Sequence, residues 1–134
     1  MSNLLHVLIV DDSENDAKLI VRKLRHEGYE PEWERVDTAD TMKAALKSKK
    51  WDVILCDFKM PLFSVYAALK IVQEENMDIP FILISGAIGE DTAMAAVKSG
   101  ANDYVMKGNL YKLAATIEKE ISKAKERLNK KNND

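Results

Sequence analysis

The sequence has little of what marks a specialised chain class. One cysteine, three prolines and five glycines stand among 134 residues. A lone cysteine cannot form an internal disulfide, which excludes a disulfide-stapled scaffold. The scarcity of glycine and proline excludes collagen-like and Pro/Gly-rich low-complexity chains. Charge of one sign is also missing. Twenty basic residues against 22 acidic ones leave a formal charge of -2 at pH 7, so direct nucleic-acid binding is not expected. No apolar run approaches the ~20 residues that cross a bilayer. The opening MSNLLHVLIVDDSEND has no basic leader, so neither secretion nor membrane insertion is expected. Neither a dinucleotide-binding glycine fingerprint nor a P-loop occurs. A cytoplasmic, reducing location follows as the expectation.

What is present suits one folded domain. Hydrophobic residues make up 46% of the chain and charged residues 31%, enough for a core with a solvated surface. Five apolar runs alternate with amphipathic stretches. The first run is Leu4 to Val10, broken only by His6. Residues 14–27 then read as a helix with Ala17, Ile20, Val21 and Leu24 on one face. Ser13 is suited to cap it and Gly28 to end it. A short polar strand is expected at 32–36. A helix follows from Thr38 or Asp40 to about Lys49, with Met42, Ala45 and Leu46 on its apolar face. The third run, Val53 to Cys56, ends at Asp57, and Cys56 reads as a small buried hydrophobe. A helix from about Ser64 to Glu75 leads to the fourth run, Phe81 to Ile84. A short helix from Glu90 to Ser99 leads to the fifth, Tyr104 to Met106. The last helix is expected from about Leu110 to Leu128.

This is a (βα)5 pattern. Strands that are apolar throughout are covered by helices on both faces, and right-handed crossovers between parallel strands give a doubly wound α/β sheet. In such sheets ligands sit beyond the carboxyl ends of the strands. The residues at those ends are Asp11 and Asp12 after the first strand, Asp57 after the third, Ser85 after the fourth and Lys107 after the fifth. Each alone is ordinary loop chemistry, but five converging on one edge are not. Gathered carboxylates repel one another and favour a cation. As hard oxygen ligands they suit Mg2+ or Mn2+, and no cysteine or histidine cluster competes. A cation beside an aspartate points to phosphoryl chemistry, with the carboxylate as nucleophile and Lys107 and Ser85 on the phosphoryl oxygens.

In this order and spacing the motifs resemble a response-regulator receiver domain, the phosphoacceptor module of two-component signalling. The likeness runs over roughly residues 5–125: the acidic pair Asp11–Asp12, Asp57 within DFKMP, Ser85 in ISGAIGED and Lys107 in DYVMKG. It implies a CheY-like, flavodoxin-like three-layer sandwich with parallel sheet order 2-1-3-4-5, spanning residues 1–128 before a charged tail, 129–134. It also implies that Asp57 accepts a phosphoryl group from a histidine kinase or phosphotransfer protein. Asp11, Asp12, Asp57 and the backbone carbonyl of Lys59 would hold the metal. Ser85 and the aromatic Tyr104 would act as the switch, altering the face made by the fourth helix, fifth strand and fifth helix. No external turnover is expected. The phrase SGAIGEDTAMAAVKSGANDYVMKGNL is similar to receivers found alone or beside sensory and kinase modules.

Three departures stand out. Gly108 replaces the proline usual after the strand-five lysine, whose preceding peptide is often cis. Val65 stands where a glycine is usual. Lys59 and Ala87 flank the phosphoryl pocket, with Ala87 offering no polar group. The resemblance implies kinase contact through the first helix, where Asn15, Lys18, Leu19 and Arg22 are candidates. A downstream protein effector and a weak homodimer are further expected partners. The competing readings are a pseudo-receiver scaffold and an aspartyl-phosphate hydrolase. The latter generally needs a carboxylate two residues after its nucleophile, where this chain has Lys59. A flavodoxin-like electron carrier is disfavoured because Asp11-Asp12-Ser13-Glu14 would repel a flavin phosphate.

Overall fold

A computed structural model describes residues 3–86 and 89–133. Ala87 therefore lies outside the described residues. Five strands alternate with five helices: β1 (Asn3–Val10), α1 (Glu14–His26), β2 (Tyr29–Val36), α2 (Ala39–Ser48), β3 (Val53–Asp57), α3 (Val65–Glu74), β4 (Phe81–Ser85), α4 (Glu90–Lys98), β5 (Asp103–Met106) and α5 (Leu113–Asn133). A short 3-10 helix, Lys107–Lys112, joins β5 to α5. All strand pairs are parallel, in the order β2-β1-β3-β4-β5.

The period-2 alternation of a strand divides the core into two layers. Leu8, Val10, Ile54, Cys56, Phe81 and Leu83 face one side, where α2, α3 and α4 pack. Val7, Ile9, Val53, Leu55, Ile82 and Ile84 face the other, against Ala17, Ile20, Val21 and Leu24 of α1 and Leu113 and Ile117 of α5. Apolar side chains on both faces explain the nearly continuous hydrophobic runs of β1, β3 and β4.

Local chemistry sets the element boundaries. The Ser13 hydroxyl accepts from the Asp16 amide at 3.2 Å and caps α1. Gly28, at φ 98°, carries the turn that follows. Thr38 and Thr41 form a reciprocal capping box at the start of α2. Ser64 caps α3 through the Ala67 amide. Val65 then opens that helix as a buried core residue, so the missing glycine is replaced by apolar packing.

Two elements differ from the sequence expectation at their ends. β2 begins at Tyr29 rather than residue 32, because β1 pairs with it along its whole length, from Asn3–Tyr29 to Val10–Val36. It lies at the sheet edge, where Pro31 costs no ladder donor on the open side. The last helix does not begin at Leu110. The 3-10 turn precedes it, with Asn109 at non-helical angles (φ -124°, ψ 36°), and α5 runs on through Asn133. No cis peptide occurs among the described residues, so the Lys107–Gly108 bond is trans. No helix among them is long and apolar enough to cross a membrane.

Candidate functional site

Strand register gathers the polar residues. Val10 pairs with Cys56, so the next residues, Asp11 and Asp57, emerge side by side above β1 and β3. Ser85 pairs with Met106, which places Lys107 one step beyond at the same edge. The Asp11 amide still donates to Val36 O at 3.0 Å, and the Phe58 amide to Ile84 O at 3.1 Å. These bonds extend the ladders past the strand ends and hold both aspartates on rigid backbone.

The three predicted carboxylates converge. One oxygen from each of Asp11, Asp12 and Asp57 lies within 4.8 Å of the others. Asp11 is 1% exposed and Asp57 4% exposed, while Asp12 opens to solvent. Asp11 Oδ1 accepts from the Ser13 amide at 2.9 Å. Its Oδ2 is buried with no hydrogen-bond partner, and so is Asp57 Oδ1. Burial pushes the Asp11 carboxyl from its ordinary 3.8 up to about 6. The Ser13 amide offsets part of that rise and the Asp57 charge adds to it. Burial likewise raises the Asp57 carboxyl, against the opposing pull of Lys107 and the Lys59 backbone amide. Orphaned, buried, hard oxygens with raised proton affinity are the donor set that suits a divalent cation.

Lys107 reaches the cluster from β5. Its ammonium is 3.3 Å from Asp57 Oδ1 and donates a hydrogen bond to Asp16 Oδ2 at 3.0 Å. Burial opposes the ammonium charge, but Asp16 and Asp57 outweigh it, so the Lys107 pKa rises above its ordinary value. Ser85 is fully buried at the end of β4, and its hydroxyl has no hydrogen-bond partner. Tyr104 is half-buried on β5 and packs with Phe58 against the core layer that holds α3 and α4. The Lys59 side chain points outward, with only its backbone near Asp57.

Asp16 is the residue that sequence reasoning missed as a site member. The signal was present: Asp16 lies one turn before Ile20, so it continues the buried stripe of α1 toward the strand ends. The four α1 candidates, Asn15, Lys18, Leu19 and Arg22, are all exposed.

Comparison with known proteins agrees with this geometry. The family model for the response regulator receiver domain matches residues 7–118. The response regulator SaeR of Staphylococcus epidermidis is 34% identical over 104 residues, covering 76% of this chain and 43% of that protein. Its counterpart in Staphylococcus aureus is 32% identical over the same length. The chain thus spans less than half the length of these curated relatives. Among solved structures, NtrX from Brucella abortus superposes with TM-score 0.83 at 22% identity, over 98% of this chain and 30% of that one. The receiver domain of a sensor histidine kinase from Pseudomonas aeruginosa superposes with TM-score 0.71 at 21% identity, over 88% of this chain and 98% of that one. That structure has a magnesium ion coordinated in its active site cleft.

A doubly wound sheet of order 2-1-3-4-5 with an aspartate triad at its carboxyl edge defines the class. The chain belongs to the response regulator receiver domain family. Members of that family work as phosphorylation-state switches rather than as enzymes with external substrates.

Proposed function

We propose that this domain is a phosphoacceptor in a two-component phosphorelay and that Asp57 is the residue phosphorylated. The observation that carries this reading is the placement of Asp57. It is a buried carboxylate on rigid backbone, with an orphaned oxygen, an ammonium at 3.3 Å and two further carboxylates within reach. An Asp57 oxygen attacks the phosphorus of a phosphohistidine, the P–N bond breaks, and the histidine nitrogen keeps the electron pair. Lys107 compensates charge on the phosphoryl oxygens, and the Ser85 hydroxyl donates to one of them. Asp11, Asp12, Asp57 and the Lys59 carbonyl would hold Mg2+ or Mn2+, which supplies neutralisation of the phosphoryl charge.

The switch is a population shift between two arrangements. The buried, unpartnered Ser85 hydroxyl gains a partner once Asp57 is phosphorylated. Its movement, with that of Tyr104, alters the face of α4, β5 and α5. Through that face the domain changes its contact with a downstream protein effector or with a second copy of itself. A cytoplasmic histidine kinase or histidine phosphotransfer protein is the donor, approaching over the exposed face of α1.

Incubation with a small phosphodonor and Mg2+ tests the chemistry. One phosphoryl mass should add to the protein, and none to Asp57→Asn. A wild-type protein that never gains that mass would favour the pseudo-receiver reading instead. Phosphotransfer profiling against kinases of the source organism identifies the donor.

A further inference from the structure

Lys107 does not belong to Asp57 alone. Its shorter, hydrogen-bonded contact is with Asp16, at 3.0 Å, while Asp57 Oδ1 stands at 3.3 Å without a hydrogen bond. We infer that Asp16 is a positioning residue, which shares the Lys107 ammonium with Asp57 so that the nucleophilic carboxylate does not hold that cation alone.

The surroundings leave that task to Asp16. Lys107 follows β5 directly and opens a 3-10 turn that Asn109 interrupts. Close packing does not fix the lysine stem. It lines a cavity of about 100 Å3 with Asp16, Leu19, Ile20, Ile84 and Leu110. An added Cβ on Gly86 would be only in ordinary contact with the stem, at 3.7 Å from Cδ. An ammonium on a flexible stem beside open apolar space is placed by the charges around it. The backbone of Asp16 is fixed at the start of α1, because its amide donates to the Ser13 hydroxyl and the Ser13 amide donates to Asp11 Oδ1. The contacts Asp11–Ser13–Asp16–Lys107–Asp57 therefore run in a loop around the pocket. Asp16 ties the start of α1 to whatever Lys107 is bound to.

The consequence follows from competition for one cation. Without the Asp16 charge, the nearest carboxylate to Lys107 is Asp57. The ammonium then pairs with Asp57 alone, and both a divalent cation and an incoming phosphoryl group must displace a tighter contact. An alternative role for Asp16 is purely local: an acidic first-turn residue that favours α1 through its helix dipole. That role does not need Lys107, so a double-mutant cycle separates the two.

The cycle comprises Asp16→Asn, Lys107→Met and the double variant. Two quantities are read: Mg2+ affinity by amide-shift titration of unphosphorylated protein, and initial phosphorylation rate with a small phosphodonor. With Lys107 present, Asp16→Asn should weaken Mg2+ binding and slow phosphorylation by roughly three- to tenfold, as expected within one charge network. In the Lys107→Met background the same change should have an effect under about twofold. Asp16→Glu should recover at least half of the loss. Equal effects in both backgrounds, or none in either, overturn the inference. A thermal melt of each variant confirms folding, and Asp16→Ser, taken through the same cycle with Lys107→Met, carries the test if Asp16→Asn fails to fold. The phosphorylation arm rests on the phosphoacceptor reading and the Mg2+ arm does not. If Asp57 takes no phosphoryl group, that reading falls while the Mg2+ cycle still decides the role of Asp16.

Discussion

Asp11 shows at the scale of one residue how a buried carboxylate burdens the fold that holds it. Its carboxyl titrates at about 6 instead of 3.8, chiefly because it is buried. The folded chain therefore binds this proton more tightly than the unfolded chain. The contribution of this group to stability is fully present below about pH 4 and is lost as pH rises through about 6, where the folded-state carboxyl gives up its proton. The raised Asp57 carboxyl acts in the same direction. Urea melts of the metal-free protein at pH 5 and pH 7 should show this loss. Asp11→Asn, which keeps an acceptor for the Ser13 amide, should raise stability at pH 7 by up to about 3 kcal/mol, given ~1.4 kcal/mol per pKa unit. Cys56 offers a second check. Complete burial, with the neighbouring Asp57 and Asp11 charges, holds its thiol well above its ordinary pKa. A thiol reagent should leave the native protein unmodified and label it once in urea. The residue types Asp11, Asp12, Asp57, Ser85 and Lys107 were legible in the sequence alone. Asp16 was not, because its role depends on where Lys107, 91 positions away, finds its partner.

At the scale of elements, caps and apolar periodicity were legible because both are local. Ser13, Thr38 and Gly28 act where their chemistry suggests. The misjudged boundaries have non-local causes. β2 reaches back to Tyr29 because β1 offers it a full ladder, so tertiary pairing overrides the weak propensity of Glu30, Pro31 and Glu32. The 3-10 turn at Lys107–Lys112 arises where Gly108 and Asn109 disfavour a clean helix start. Gly100 shows a helix end with two demands at once. Its φ is +133°, and an added Cβ would stand 2.7 Å from Gln73 Nε2, which donates to Ser99 O. Gly100→Ala should cost about 1–3 kcal/mol by denaturant melting, since a β-carbon is strained there. Adding Gln73→Ala should recover only the steric part, because the backbone angle is unchanged.

Across the whole molecule, the sheet separates two core layers that do not share side chains. Leu24 of α1 belongs to one and Leu69 of α3 to the other, both buried. Each change to alanine should cost about 2–5 kcal/mol in chemical denaturation. The double variant should equal the sum within ~0.5 kcal/mol, because the sites share no partner. A larger deviation would mean that the sheet transmits strain between its faces. The length of α5 is also a property of the whole. Its far half is tied to the α3–β4 connection by Arg127, whose Nε lies 2.9 Å from Asp78 Oδ2, with a second bond to Asp78 Oδ1. That contact joins residues 49 positions apart, and no local pattern announces it.

The sequence by itself determined the alternation of strands and helices and the chemical types that close each strand. Both are written in periodicity and in residues next to one another along the chain. Only the tertiary structure decided the distances: three carboxylates within 4.8 Å, Asp57 nearly sealed from water, and Lys107 shared between Asp57 and Asp16. The physical reason is register. Parallel pairing of β1, β3, β4 and β5 turns residues far apart in the chain into neighbours, and burial there raises the proton affinity of Asp11 and Asp57.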